Sequence, residues 1–334
     1  MRAMVNARRR EGHLGDVALV EGELRGLLSA GELELPLPSG GRTAARWLGL
    51  AGWGRRDLGL ARLVEGHTDA VAILAEAARQ ARSEALYGVW ASRSGGTGAR
   101  LVRSDDGLAL HGTVRFCSGA HTIDRALVVA DAPEPADGRV LVEIAVDQPG
   151  LVPEPDTWAT AAMAAADTVD VRFDSVPVSL DALIGPAGWY TTRPGFAAGG
   201  GGVAAVWWGG AAGLLDRAIA CLRSSADPHQ LAHLGELHAL MEAASALLLR
   251  TADALDAAPD ADHTGSLAVV RCAVERAARE VVERVPRMVG AAALSRDGDL
   301  AQALADLSLY IRQHHGERDH AALGASVLAM RGAR

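Results

Sequence analysis

Apolar positions recur at helical spacing through the first 85 residues. From Asp16 to Leu28 (DVALVEGELRGLL) the pattern predicts one helix, stopped by the Gly/Pro-rich ELPLPSGG. Thr43–Leu50 (TAARWLGL) predicts a second, with Thr43 as its N-cap. Asp57–Gln80 predicts a third, with Leu58, Leu60, Leu63, Val64, Ala70, Val71, Ile73 and Leu74 on its apolar face. The character then changes. Strand-like runs stand at 108–116, 126–130, 139–146 and 168–173, with Gly107, Gly112 and Gly119 marking turns and a polar linker after YGVWASRSGG. Residues 186–200 read as a loop. Residues 203–256 and 265–330 return to helical periodicity, with a break at AAPDADHTG. Helices, then strands, then helices predict a segregated α+β chain: an N-terminal helical domain (1–85), a middle antiparallel β-domain (86–185) and a C-terminal four-helix bundle (186–334).

One stretch complicates this picture. Phe196–Leu215 is twenty residues without a charge, long enough to span a bilayer. It also holds Gly199–Gly202, Gly209, Gly210 and Gly213, so it reads as a Gly-rich loop entering a buried helix, with no membrane span. Arg2 and Arg8–Arg10 are followed by no apolar run, so no secretory signal is expected. Every basic residue besides histidine is Arg, and the net charge of −8 argues against a nucleic-acid surface. Cys117, Cys221 and Cys272 form no CxxC pair, which disfavours a zinc site and a disulfide framework and fits a reducing, cytoplasmic setting. No GxGxxG joins a strand to a helix, so a dinucleotide-binding domain is not expected.

The helix DLGLARLVEGHTDA (57–70), the β-run Gly107–Ala130 (GLALHGTVRFCSGAHTIDRALVVA), the exit DTVDVRFDSVPVSLDALIGPAGWY (167–190) and the late segment ADLSLYIRQHHGERDHAALG (305–324) together resemble the acyl-CoA dehydrogenase superfamily, over roughly residues 43–330. The resemblance implies FAD held between the β-domain and the bundle, and homodimers or homotetramers formed through the bundle. It also implies α,β-dehydrogenation of an acyl-CoA or related thioester, with electrons passed on to an acceptor protein. Val89, Trp90 and Gly95 then correspond to the first flavin segment, and Phe116 and Ser118 to the second, where a serine hydroxyl donates to the flavin ring.

Departures from the family pattern open alternatives. The first flavin segment lacks the usual Thr, Glu and Pro. Where the family has Arg-x-x-Phe-Gly for the pyrophosphate, this chain has DPHQLAHLGEL (227–237). Counting eight residues on from Asp306, the usual catalytic glutamate is replaced by His314, with His315 and Glu317 close by. His314 and Glu317 are therefore the candidate bases. Glu65 and His67 in EGHTDA, and Arg193, are further candidate site residues. Trp207 and Trp208 fit a bundle core, and the charges from Glu275 to Arg284 fit a solvated helix face. A flavin-dependent monooxygenase of the same fold, supplied by a separate reductase, fits the missing glutamate. A flavin-free scaffold subunit fits the altered cofactor segments.

Overall fold

Aspartates set several of the helix starts. In the computed structural model, which describes residues 16–104, 107–133, 138–222 and 226–332, Arg2 and Arg8–Arg10 lie outside the described residues. Helix α1 (Val17–Ser29) opens on Asp16, whose carboxylate accepts from the Leu19 amide. After α2 (Thr43–Arg56), α3 (Leu58–Glu76) opens on Asp57, which accepts from Leu60. Thr43 is not the expected N-cap. It is the first helical residue, and its amide and hydroxyl both donate to Asp256, at 2.8 and 2.6 Å. A carboxylate from the far end of the chain has taken over a local cap.

The β-region comprises β1 (Tyr87–Trp90), β2 (Gly98–Ser104), β3 (Gly107–Cys117), β4 (Arg125–Asp131), β5 (Arg139–Ala145), β6 (Leu151–Glu154), β7 (Val169–Val178) and β8 (Leu183–Ile184). They form one sheet in the order β6-β7-β3-β2-β4-β5-β8, with β1 also on β4. Pairing is mainly antiparallel, but β1 and β2 run parallel to β4. Strand β2 lies where the sequence suggested a polar linker. It buries Ala99 and Leu101 and exposes Arg100 and Val102, a period-two pattern masked by its arginines.

Five helices follow the short α4 (Trp189–Thr192): α5 (Gly195–Cys221), α6 (Pro228–Ala257), α7 (Thr264–Arg296), α8 (Gly298–Tyr310) and α9 (Glu317–Gly332). Helix α6 starts with a capping box between Asp227 and Gln230, with Pro228 at its first position. Gly199–Gly202, expected as loop, lie inside α5. Helical glycines cost conformational entropy, and here close packing offsets it. A Cβ at Gly209 would collide with the Ala51 carbonyl, one at Gly213 with the Arg55 carbonyl, and one at Gly201 with the Trp47 ring. The glycines let α2 and α5 approach backbone to backbone. None of the described helices is long and apolar enough to cross a membrane.

Two large cores result. One joins α2 to the bundle through Trp47, Leu50, Trp207, Leu214, Val274 and Leu307. The other packs α1 and α3 against the sheet through Leu24, Leu60, Val64, Trp90, Leu110 and Val128. Helix α3 is the shared wall: Leu58 and Ala61 face the first core, Leu60 and Leu63 the second. Ala70, Ile73 and Leu74 of α3 enter a smaller cluster with Tyr87 and Leu127, and a further stripe of the helix is charged.

Candidate active site

Arg62, Glu65, Asp69 and Glu76 follow one another at three-, four- and seven-residue intervals, so they share one side of α3. All four are paired. Arg62 Nη1 donates to Glu65 Oε2 at 2.8 Å, and the Tyr310 hydroxyl, at the end of α8, donates to the same oxygen at 2.7 Å. Arg46 from α2 meets Asp69 at 2.7 Å, and Arg193, between α4 and α5, meets both oxygens of Glu76 at 3.0 and 3.1 Å. Burial works against the charge on Arg62, but Glu65, Tyr310 and Asp69 outweigh it and raise its pKa. Burial, reinforced by the Glu65 charge, raises Tyr310 well above the usual phenol value, so its proton is firmly held.

This stripe meets the sheet at Ser118. Arg62 Nε donates to Ser118 Oγ at 3.1 Å, and the Thr168 hydroxyl donates to it at 3.0 Å. With both lone pairs engaged, the Ser118 hydroxyl keeps its own proton for another acceptor. Two residues earlier the β3–β7 register slips: Val114 pairs with Val171 but Cys117 with Val169. The extra residue is a bulge, which re-aims its side chain. Phe116 adopts φ +60° there and is 51% exposed, its ring edge-on to Trp158 at 6.5 Å. A bulky residue at positive φ is strained, and its amide is held by Asp170 at 3.2 Å.

The other sequence candidates fall as follows. Trp90 is buried in β1, and its indole N–H donates to the Ser118 carbonyl at 3.1 Å. Val89 is half-buried beside it. Gly95 is exposed in a 3-10 turn at φ +65°, where a side chain would strike Arg115. His314 is buried among Trp207, Cys272 and His320. Its Nδ1 accepts from the Gly316 amide at 3.2 Å, so the neutral ring carries its proton on Nε2, facing Cys272 Sγ at 3.4 Å. Burial lowers its pKa. Glu317 is exposed in the first turn of α9. The structure thus joins Trp90, Ser118 and Phe116 in one place; among the described residues His314 meets Trp207, Cys272 and His320 instead, and Glu317 is exposed. It adds Arg62, Thr168 and Tyr310 and brings the candidate Glu65 to the same place. His67 lies one turn away, buried, its Nδ1 accepting from the Tyr87 amide at 3.2 Å; burial lowers its pKa to about 4.

Chemically, the site offers an exposed aromatic wall, a serine hydroxyl with a free proton, a fixed cation and a phenol. A flat, partly apolar heterocycle with hydrogen-bond acceptors along one edge suits that set, so these residues fit a flavin ring.

The acyl-CoA dehydrogenase resemblance holds. Residues 187–311 match the family model described as "Acyl-CoA dehydrogenase, C-terminal domain", and the whole chain has that fold. FMN-bound TdsC from Paenibacillus sp. A11-2 superposes with a TM-score of 0.79 at 19% identity, over 94% of this chain and 96% of that one. The methanesulfinate monooxygenase MsuC from Pseudomonas fluorescens gives 0.78 at 19%, over 93% and 90%. Butyryl-CoA dehydrogenase from Megasphaera elsdenii gives 0.76 at 17%, over 94% and 91%. No curated protein shows significant sequence similarity to the chain.

Proposed function

We propose that this chain is a flavin-dependent monooxygenase acting on a small polar substrate, with the flavin lying between the sheet (domain 86–185) and the helical bundle (186–334). The observation that carries the proposal is the buried Ser118–Arg62–Glu65–Tyr310 network. Dehydrogenation of an acyl thioester needs a carboxylate free to take the α-proton, and an apolar space for the acyl chain. Here Glu65 Oε2 is bound twice, Glu317 is exposed, and α3 lines the seam with charge. Bound in reduced form, the flavin supplies two electrons that let O2 place one oxygen atom on a substrate and release the other as water. Phe116 forms the ring's wall, Ser118 donates to its edge, Arg62 supplies positive charge beside it, and Tyr310 holds a proton close by.

FMN suits this chain better than FAD. No arginine occurs from 224 to 249, so the start of α6 offers no guanidinium fork to a pyrophosphate. The resemblance to FMN-bound TdsC supports the same choice. Reduced flavin would come from a separate reductase. Exposed apolar residues on α6 and α9, among them Leu231, Leu328 and Met330, are consistent with a homodimer or homotetramer in the cytoplasm.

One observation favours the dehydrogenase reading: Glu65 Oε1 makes no hydrogen bond among the described residues, which leaves it able to act as a base. Absorbance spectroscopy separates the readings. The protein is expected to take up FMN, and Ser118→Ala to weaken that binding by about tenfold. Its anaerobic flavin band should survive addition of acyl-CoA thioesters. Bleaching by an acyl-CoA would establish the dehydrogenase instead, and failure to bind either FMN or FAD would leave the flavin-free scaffold.

A further inference from the structure

Cysteine spacing along the chain gives no sign of a metal site, yet the fold gathers three metal-binding side chains from separate segments. Cys272 lies on α7, His314 just after α8, and His320 in α9. Their ligand atoms all lie within 4.8 Å of one another. Cys272 Sγ stands 3.4 Å from His314 Nε2, and the His314 and His320 rings are 5.2 Å apart, centre to centre. A tetrahedral zinc ion, about 2.3 Å from sulfur and about 2.0 Å from nitrogen, holds two such ligands about 3.5 Å apart. The five residues between His314 and His320 also fall within the spacing that zinc-binding histidine pairs use. Cys272 and His314 are buried, while His320 is exposed and gives an ion a way in.

A hydrogen bond accounts for Cys272 and His314 alone; it does not account for the carboxylates around them. Glu275 follows Cys272 by one helical turn and is only 4% exposed. Its Oε1 meets Arg279 at 3.1 Å, but its Oε2 has no hydrogen-bond partner among the described residues. Asp319 Oδ2 stands 3.9 Å from His314 Nε2. Both carboxylates are felt by Cys272 and His314, opposed by Arg271. We propose that Cys272, His314 and His320 bind one divalent transition-metal ion of the zinc class, with Glu275 and Asp319 in the outer shell and the fourth position open to water. Binding releases the Cys272 thiol proton to solvent, because a bound cation deprotonates a coordinating thiol outright. It also moves the His314 ring proton from Nε2 to Nδ1, which gives up the contact from the Gly316 amide. Gly316, at φ +54°, carries no side chain to stop that amide turning away.

The test needs no turnover. The purified full-length protein is stripped with a chelator, then titrated with Zn2+ by calorimetry and with Co2+ by difference absorbance against the metal-free protein. One ion per chain is expected, and Zn2+ should raise the melting temperature. Co2+ should give the intense visible bands of a tetrahedral ion and a near-ultraviolet thiolate-to-metal band. Cys272→Ser should abolish the thiolate band. His320→Ala changes an exposed side chain, so the fold survives it. It should weaken Zn2+ binding by at least about tenfold, since even outer-shell partners cost roughly 10–100-fold. Glu275→Gln should weaken it by about tenfold. Absence of stoichiometric Zn2+ binding, a thiolate band that persists in Cys272→Ser, or unchanged Zn2+ affinity in His320→Ala overturns the site. Failure to bind FMN would remove the flavin reading and leave this result standing.

Discussion

Helix α5 shows two kinds of glycine on two of its sides. Toward α2, Gly201, Gly209 and Gly213 sit where a methyl group would strike a ring or a backbone carbonyl. Toward α3 and α7, Gly199 and Gly200 sit where a methyl group would only touch charged side chains, at 3.6 Å. The first seam is dry and backbone-close; the second is lined with guanidiniums and carboxylates. The same residue type is required at one interface and tolerated at the other. What distinguishes them is the partner helix: α2 presents Trp47, Ala51 and Arg55 backbone, while α3 presents its charged stripe.

The largest expected effect lies in the charged seam. Glu65→Ala leaves Arg62 buried without its carboxylate and should cost about 3–5 kcal/mol, read as a lower denaturant midpoint. A loss no larger than that of a surface glutamate would mean the seam is hydrated rather than buried.

His67, on another side of α3, gives a pH signature. Its folded pKa of about 4 lies below the unfolded value of 6.5, so its contribution is complete above pH 6.5 and is lost as pH falls towards 4, by roughly 3 kcal/mol in all. The cause is burial, which disfavours the charged ring. Asp306 has the opposite sign. Burial raises it to about 6, so its contribution grows as pH falls from 6 towards 3.8 and partly masks the histidine. His67→Asn should flatten the acid limb of a stability–pH curve; a curve identical to the parent's would refute the assignment.

The dry seam is probed by Gly209→Ala, whose Cβ meets the Ala51 carbonyl and should cost about 1–3 kcal/mol. Tyr310→Phe, which removes one hydrogen bond to Glu65, should cost about 1 kcal/mol. The smallest effect has the opposite sign. Gly200→Ala meets no atom closer than 3.6 Å and should stabilise the helix by about 0.5–1 kcal/mol. If Gly209→Ala and Gly200→Ala shift the melting temperature alike, the two sides of α5 do not differ as described.

Period and punctuation alone carried much of the fold. Apolar spacing at 16–28 and 57–80, the strand runs from 108 to 173 and the break at 257–265 lead directly to α1, α3, the main strands and the gap between α6 and α7. They also support the acyl-CoA dehydrogenase resemblance, because local periodicity records which face of an element meets a core. Phe116 and Ser118 were legible as a strand end. The charged stripe of α3 was legible too, as Arg62, Glu65, Asp69 and Glu76 at helical intervals in an otherwise apolar helix, though only Glu65 drew notice.

Tertiary structure decided the rest, because the deciding partners are distant in sequence. Asp256 caps Thr43, α2 turns the Gly199–Gly202 run from loop into helix, and Tyr310 finds Glu65. His314 looked like a base from its position after Asp306, yet the Gly316 amide and Cys272 occupy its two nitrogens. A sequence states which groups a chain owns. Whether a carboxylate is free or bound, and which guanidinium it meets, depends on distances of 3–4 Å that only the packed chain sets.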